Sequence, residues 1–304
     1  MKTLDLSVPT DPPLGATLMV PDRPVAAALV HQGGGVHDRD GNMSAVGFKS
    51  SLYRRLATLL GARSIATLRF DKRGSDKPAR YPHSYTLPDR VDDARTALQA
   101  LREHELTARL PVFLIGHSEG GMVVTKLAET EAVVGVVALC APFGNVFELG
   151  RFRAQRLIKE AAGAQRAKGE KVLEYYSRLE RYFNEGTKLP PEQFVEFATP
   201  YLGAGYNGWE SFEWLAGLWA DYLKADPSKH GRPMLVVQGG RDARLHPNNA
   251  RHWREWCETR PLAEFHLIDH LGHDLNDARQ KLFRVDNEMI DLVGGWIERA
   301  SAMQ

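Results

Sequence analysis

The hexapeptide Gly116-His117-Ser118-Glu119-Gly120-Gly121 joins two apolar runs, PVFLI before it and MVVTKLA after it. A serine between glycines at a strand-to-helix junction is placed for nucleophilic chemistry. The sharp turn lifts the side chain clear of the sheet, and the flanking glycines remove Cβ atoms that would collide there. The helix that follows aims its free N–H groups and the positive end of its dipole at the place where negative charge would develop. A serine hydroxyl is a weak nucleophile at neutral pH. It needs a base, and the base needs an orienting group.

Both types of residue come later in the chain. Asp242 follows the run MLVVQGG, and His270 and His273 follow FHLI in the stretch DHLGHDL. His273 stands after Gly272, far enough past the strand to swing over the sheet edge, and is the expected base; His270 is the alternative. Asp242 is the expected acid, with Asp269 as the fallback. His266, His270 and His273 have a spacing that would suit one face of a metal-binding helix. Their segment reads instead as strand and glycine-containing loop, so no metal is expected there.

Acyl transfer also requires donors for the oxyanion. The backbone N–H of Glu119, next after the serine, is one. The other is expected from HQGGGVHDRDGN, residues 31–42, where three glycines let the backbone turn its N–H groups inward. One such donor is worth about 3 kcal/mol in a transition state. Other uses of this loop fail on its residues. No Gly-Lys-Ser/Thr follows it, G-x-G-x-x-G is absent, and Met43 stands where an EF-hand loop needs its turn glycine.

These loops must be held by a sheet. Short apolar runs alternate with helical patterns, which points to β-α units and a mostly parallel sheet. The runs cover residues 25–31, 64–70, 111–116, 132–140, 233–240 and 262–268, several of them apolar at nearly every position, as in strands covered on both faces. The first 20 residues suit a strand pair joined near Pro12–Gly15. Leu52, Leu56, Leu59 and Leu60 form a helical stripe, as do Val91, Ala94, Leu98 and Leu101 after a start at Pro88. A terminal helix is expected from Asp277 to Arg299. Between Phe143 and His230 no strand pattern occurs. Helical segments at 147–162, 170–183, 191–198 and 211–224 fill that interval, so a core of residues 1–142 and 231–304 is expected to carry a helical cap inserted at 143–230.

Composition narrows the function classes. The 304 residues are 43% hydrophobic and 25% charged with a formal net charge of +1, so no field favours nucleic acid or an anionic membrane. Two cysteines, Cys140 and Cys257, make neither a disulfide framework nor a zinc site and read as buried free thiols. The N-terminus has no apolar signal region and no stretch approaches the roughly 20 apolar residues of a membrane span. The expected location is cytoplasmic; oligomeric state is left open.

GHSEGG, GGGVHDRDGN and LRFDKRGSDK together resemble the α/β-hydrolase superfamily, from about Val25 to Trp296. They are most similar to bacterial serine esterases whose oxyanion loop runs into Asp-Arg-Asp and whose next strand ends in Asp-Lys-Arg-Gly. The resemblance implies an α/β-hydrolase fold, a mostly parallel central sheet flanked by helices, with Ser118, Asp242 and His273 as the triad. Counting the glycine run back from Asp38-Arg39-Asp40 puts the second oxyanion donor at Gly34; counting forward from His31 gives Gly33. This chain has His31-Gln32 where related hydrolases often have His-Gly. The implied reaction is cleavage of a small-molecule carboxylic ester through an acyl-enzyme on Ser118, without metal or organic cofactor. Thioester or other acyl or carbon–carbon cleavage on the same triad is the runner-up. A catalytically silent ligand-binding module would lack a triad member, and none is missing.

Two groups have competing readings. Asp38, Arg39, Asp40 and the stretch Arg69–Gly74 suit ion pairs that pin loops at strand ends; a clamp on a substrate carboxylate by Arg39, Arg69 or Arg73 is the alternative. The aromatics Trp209, Phe212, Trp214 and Trp219 lie in the expected cap, where they either pack it or line an apolar substrate pocket.

Overall fold

A computed structural model describes residues 1–44, 47–76, 85–143, 146–203, 211–220 and 227–303. Its frame is one sheet of eight strands in the order β1-β2-β4-β3-β5-β6-β7-β8. The strands are β1 (Lys2–Val8), β2 (Leu14–Val20), β3 (Ala26–His31), β4 (Ile65–Phe70), β5 (Val112–His117), β6 (Gly135–Leu139), β7 (Met234–Gly239) and β8 (Ala263–Ile268). β1 pairs antiparallel with β2, and β2 with β4; every other pairing is parallel. Every residue of β3, β4 and β6 is buried, which is why their sequences carry apolar runs rather than alternation.

The chain goes from β3 to β4 on one side, then returns to place β5 on the other side of β3. Sheets of this kind bind ligands outside the carboxyl ends of their strands where the order reverses. The loops after β3 and β5, with Gly33–Gly34 and Ser118, leave the sheet at that reversal.

Helix α1 (Leu52–Ala62) and the terminal α9 (Asn287–Ser301) share one core with the sheet. Leu52, Leu56 and Leu60 from α1 and Met289, Val293 and Trp296 from α9 cover Phe113, Ile115, Val137 and Leu235. Each fully buried side chain of this size contributes about 1.5–3 kcal/mol. Helix α2 (Leu87–Glu103) follows the expected periodicity, with Val91, Ala94, Leu98 and Leu101 all buried. The chain also forms helices α3 (Glu119–Ala128) and α8 (Asn249–Glu258).

The terminal helix begins ten residues later than its apolar pattern suggests, at Asn287 rather than Asp277. Asp286 caps it by accepting from the Met289 N–H at 2.9 Å. Upstream, the Asp277 carboxylate accepts from the Arg279 N–H at 3.0 Å and from Gln280 at 3.0 Å, closing a local turn that competes with helix. Leu282, counted in the helical stripe, stands in this loop at 68% exposure.

Contacts divide the chain into two compact units. The first comprises Met1–Ser75, Arg90–Pro142 and Pro227–Gln304; the second Asp76–Asp89 and Phe143–Asp226. The helical second unit thus takes in a short segment, ending in the first turn of α2, that its sequence does not announce. It holds α4 (Val146–Glu160), α5 (Gly163–Asn184), α6 (Pro191–Leu202) and α7 (Phe212–Ala220). Helix α5 starts seven residues before the expected Glu170, and α7 is described only to Ala220. Aromatic side chains knit this unit together: Phe183 meets Phe212 at 5.1 Å between ring centroids, Phe147 meets Trp219 at 5.4 Å, and Tyr175 stacks on Phe197 at 5.6 Å.

Candidate active site

Ser118 directly follows β5 and precedes the first turn of α3 in a left-handed backbone conformation, φ 52°. Such a backbone strains a residue with a side chain and persists only where its surroundings hold it. Here two glycines hold it. A Cβ on Gly116 would lie 2.2 Å from the Gly120 carbonyl oxygen, and one on Gly120 would lie 2.4 Å from that of His31. The elbow therefore closes against β3 because glycine stands at both positions.

His273 is carried by the loop after β8. Its Nε2 lies 3.1 Å from Ser118 Oγ and its Nδ1 lies 2.7 Å from Asp242 Oδ2. An ionised carboxylate only accepts, so the proton sits on Nδ1 and the Nε2 lone pair faces the serine hydroxyl. Asp242 Oδ1 accepts from the amides of Arg244 at 2.9 Å and Leu245 at 3.1 Å. Burial would raise the Asp242 pKa; the hydrogen bond and charge of His273, with those two amides, more than offset it and hold the carboxyl below the usual range.

The acid and base loops are interlocked. The Arg241 N–H donates to the Leu271 carbonyl at 3.0 Å and the Gly240 N–H to that of Ile268 at 2.9 Å. His270 turns away to Asp286 at 2.8 Å, and Asp269 is exposed, so neither alternative joins the serine. His266 lies nearest Glu264, at 3.7 Å. The three histidines therefore face three different carboxylates and converge on no common point.

Gly33 and Gly34 differ sharply. Gly33 is buried and its N–H donates to the Tyr53 hydroxyl at 2.6 Å. Gly34 is exposed. The Tyr53 hydroxyl donates in turn to His117 Nδ1 at 2.9 Å, and His117 Nε2–H donates to the His273 carbonyl at 2.8 Å. Burial, then the neighbouring His273, depresses the His117 pKa to about 3, so its ring stays neutral as this directional chain requires. One relay thus ties the loop after β3, helix α1, the elbow and the base loop.

A charged cluster lies behind the elbow. Lys72 Nζ donates to Glu119 Oε1 at 2.8 Å and to the Gly33 carbonyl at 2.5 Å, while Arg90 from α2 donates to the same Glu119 oxygen. Burial opposes ionisation of Glu119, but the charges of Arg90 and Lys72 outweigh it and hold its pKa at about 2. Burial brings Lys72 down to about 8 against the pull of Glu119.

Tyr53, Arg90 and His117, together with the bond from Lys72 to the Gly33 carbonyl, are what sequence reasoning misses. Lys72 itself lies in the stretch Arg69–Gly74 that suits ion pairs at strand ends. Tyr53 is hidden inside a leucine stripe and Arg90 inside an ordinary helix. His117 and Lys72 stand within the quoted motifs, which makes them the two that a closer look could have found.

The arginines considered as a substrate clamp are committed to carboxylates. Arg39 reaches Asp71 at 2.8 Å, Arg69 pairs with Asp40, and Arg73 reaches Asp93 at 2.6 Å. Asp38 accepts from the amides of Asp40 and Asn42 at 2.9 and 2.8 Å, closing its own loop. Phe212 and Trp214 are each 3% exposed within the helical unit and Trp219 is partly exposed; Trp209 lies outside the described residues. Cys140 and Cys257 are free and buried. Among the described residues no helix is long and apolar enough to cross a membrane.

The fold and the strand-end loops define an α/β hydrolase. Residues 28–285 match the model of the alpha/beta hydrolase family, and the chain belongs to that family. It is 25% identical over 285 residues to Esterase EstD of Thermotoga maritima, an alignment covering 90% of this chain and 61% of that protein. The chain thus spans less than two thirds of the length of this relative. In fold it is similar to the α/β hydrolase GrgF from Penicillium sp. sh18, with a TM-score of 0.65 at 16% identity over 99% of this chain and 100% of that one. It is likewise similar to the Pyrococcus furiosus esterase Pf2001, with a TM-score of 0.61 at 15% identity over 99% and 91% of the two chains.

Proposed function

We propose that the chain is a serine hydrolase that cleaves a carboxylic ester through an acyl-enzyme on Ser118. The observation that carries this reading is the unbroken chain Ser118 Oγ to His273 Nε2, 3.1 Å, and His273 Nδ1 to Asp242 Oδ2, 2.7 Å. His273 takes the Ser118 proton as Oγ bonds to the ester carbonyl carbon. Asp242 holds the imidazole and offsets the charge it gains. When the tetrahedral adduct collapses, the carbon–oxygen bond to the alcohol breaks and His273 returns the proton to the leaving oxygen. Water, deprotonated by the same histidine, then releases the acid and restores Ser118.

Negative charge on the former carbonyl oxygen needs two donors. The Glu119 N–H opens α3 and is one. For the other, the engagement of the Gly33 N–H with Tyr53 favours Gly34 over Gly33. The names of two similar proteins, both called esterases, agree with an ester substrate.

The test is a rate panel of p-nitrophenyl esters and acyl-CoA thioesters of graded acyl length, run beside labelling with a fluorophosphonate read by intact mass. One adduct on Ser118 and turnover of the esters is the expected result. Faster turnover of thioesters would move the assignment to a thioesterase, and absence of an adduct would remove the nucleophile.

A further inference from the structure

We propose that Lys72 is a positioning residue of the oxyanion site: its ammonium grips the carbonyl of the Gly33–Gly34 peptide and thereby orients and polarises the Gly34 N–H. The inference rests on the reading of Ser118 as nucleophile and Gly34 as donor. In a trans peptide the C=O and N–H point in opposite directions. Pinning the Gly33 carbonyl to Lys72, whose side chain is only 5% exposed, turns that carbonyl toward the buried side. The N–H of the same peptide belongs to exposed Gly34 and faces the other way. The position is beside the nucleophile, since a Cβ built on Gly33 falls 3.2 Å from the Ser118 Cβ.

Gly33 is held at both of its polar backbone atoms, by Tyr53 at the N–H and by Lys72 at the carbonyl. The peptide plane that carries the Gly34 donor therefore has little freedom to rotate. A charge-assisted bond to a peptide carbonyl also strengthens the donor at its other end, because bonds in a chain polarise one another. Lys72 touches the second donor residue as well, through the Glu119 carboxylate at 2.8 Å. A single buried ammonium thus links the two backbone segments whose spacing defines the oxyanion site.

Charge neutralisation of Glu119 does not account for Lys72 by itself. Arg90 already brings a positive charge to the same oxygen, and two cations face one carboxylate in this cluster. The second cation is held at a buried position that disfavours its charge. Its additional bond is the one to the Gly33 carbonyl.

The experiment uses the full chain with Lys72→Met, which keeps the apolar stem, and Lys72→Gln, which keeps N–H donors without charge. Each is followed by kcat and KM on a p-nitrophenyl ester and by inhibition with a trifluoromethyl ketone, whose tetrahedral adduct on Ser118 places an oxyanion in the site. For Lys72→Met we expect kcat to fall roughly 10- to 100-fold, KM to move less than about threefold, and the ketone to weaken by the same factor as kcat. For Lys72→Gln the loss is about five- to tenfold in both. Thermal unfolding shows that the variants are folded, and if Lys72→Met is not, Lys72→Gln decides. A folded variant with kcat and ketone affinity within about twofold of the unmodified chain, or a loss confined to KM, overturns the assignment. Fluorophosphonate labelling of the unmodified chain separates the two levels. No adduct sinks the nucleophile itself, whereas a labelled chain with unimpaired Lys72 variants sinks only the role of Lys72.

Discussion

The elbow carries two polar systems that differ in what each is free to do. Ser118, His273 and Asp242 form a line that ends at a partly exposed hydroxyl, with the last acceptor, Nε2, facing it. Lys72, Glu119 and Arg90 form a closed buried knot in which one carboxylate oxygen takes two cations. In the proposed reaction a proton travels along the first system, which needs a free end and a neutral acceptor. Nothing has to travel through the second, and its strong fixed charges suit it to holding backbone still. The two systems meet at adjacent residues, with the Ser118 side chain in the first and the Glu119 carboxylate in the second.

Substitutions that cut one system and spare the other sharpen this contrast. Ser118→Ala is expected to lower ester turnover by roughly 10⁴- to 10⁶-fold with the melting temperature unchanged or raised, because it removes the mobile end and relieves no buried charge. A variant within about tenfold of the original rate, confirmed by mass and folding, breaks the triad assignment. Asp242→Asn should cost roughly 10³- to 10⁴-fold in kcat, since an amide can impose the wrong imidazole tautomer while leaving the geometry intact. Equal rates for Asp242→Asn and the parent would move the orienting role elsewhere.

Tyr53→Phe tests the relay that joins the two systems. It strands the buried Gly33 N–H and His117 Nδ1. The expected result is about 1–3 kcal/mol less stability by urea unfolding and roughly tenfold lower kcat. Unchanged stability would show that neither group depends on the hydroxyl.

The smallest effect concerns acid. Glu119 has a folded pKa of about 2 against an ordinary value of 4.5, so folding is favoured by its ionisation. That contribution is fully present above about pH 4.5 and is lost as pH falls toward 2. The depressed Asp242 carboxyl adds a loss of the same sign. Urea midpoints should therefore drop between pH 5 and 3, and Glu119→Gln, less stable at pH 7, should show a shallower drop. A parallel drop in both proteins would remove Glu119 as the source.

Much of this was legible in the order of residues along the chain. The apolar runs mark the strands because buried parallel strands need apolar side chains on both faces. The places of Ser118, Asp242 and His273 just past three strand ends are readable because the chain order matches the one in which this fold presents the proposed nucleophile, acid and base. The start of α9 was not, since the Asp277 turn and the Asp286 cap compete with a helical stripe that continues through both. Nor was the second unit's segment Asp76–Asp89, which is defined by contacts and has no compositional mark.

The choice between Gly33 and Gly34 divides the two sources of information. Local sequence put three glycines beside the nucleophile and let the backbone turn there, since a glycine run removes the steric bar to close approach. It also ordered the serine, acid and base. The contacts behind the proposed choice of Gly34 come from Tyr53 of α1, which takes the Gly33 N–H, and Lys72 of the loop after β4, which takes the Gly33 carbonyl, residues 20 and 39 positions away from Gly33. A backbone N–H is the same group in both glycines. Only the partners that the fold brings to it distinguish the Gly33 amide, bonded to Tyr53, from its neighbour.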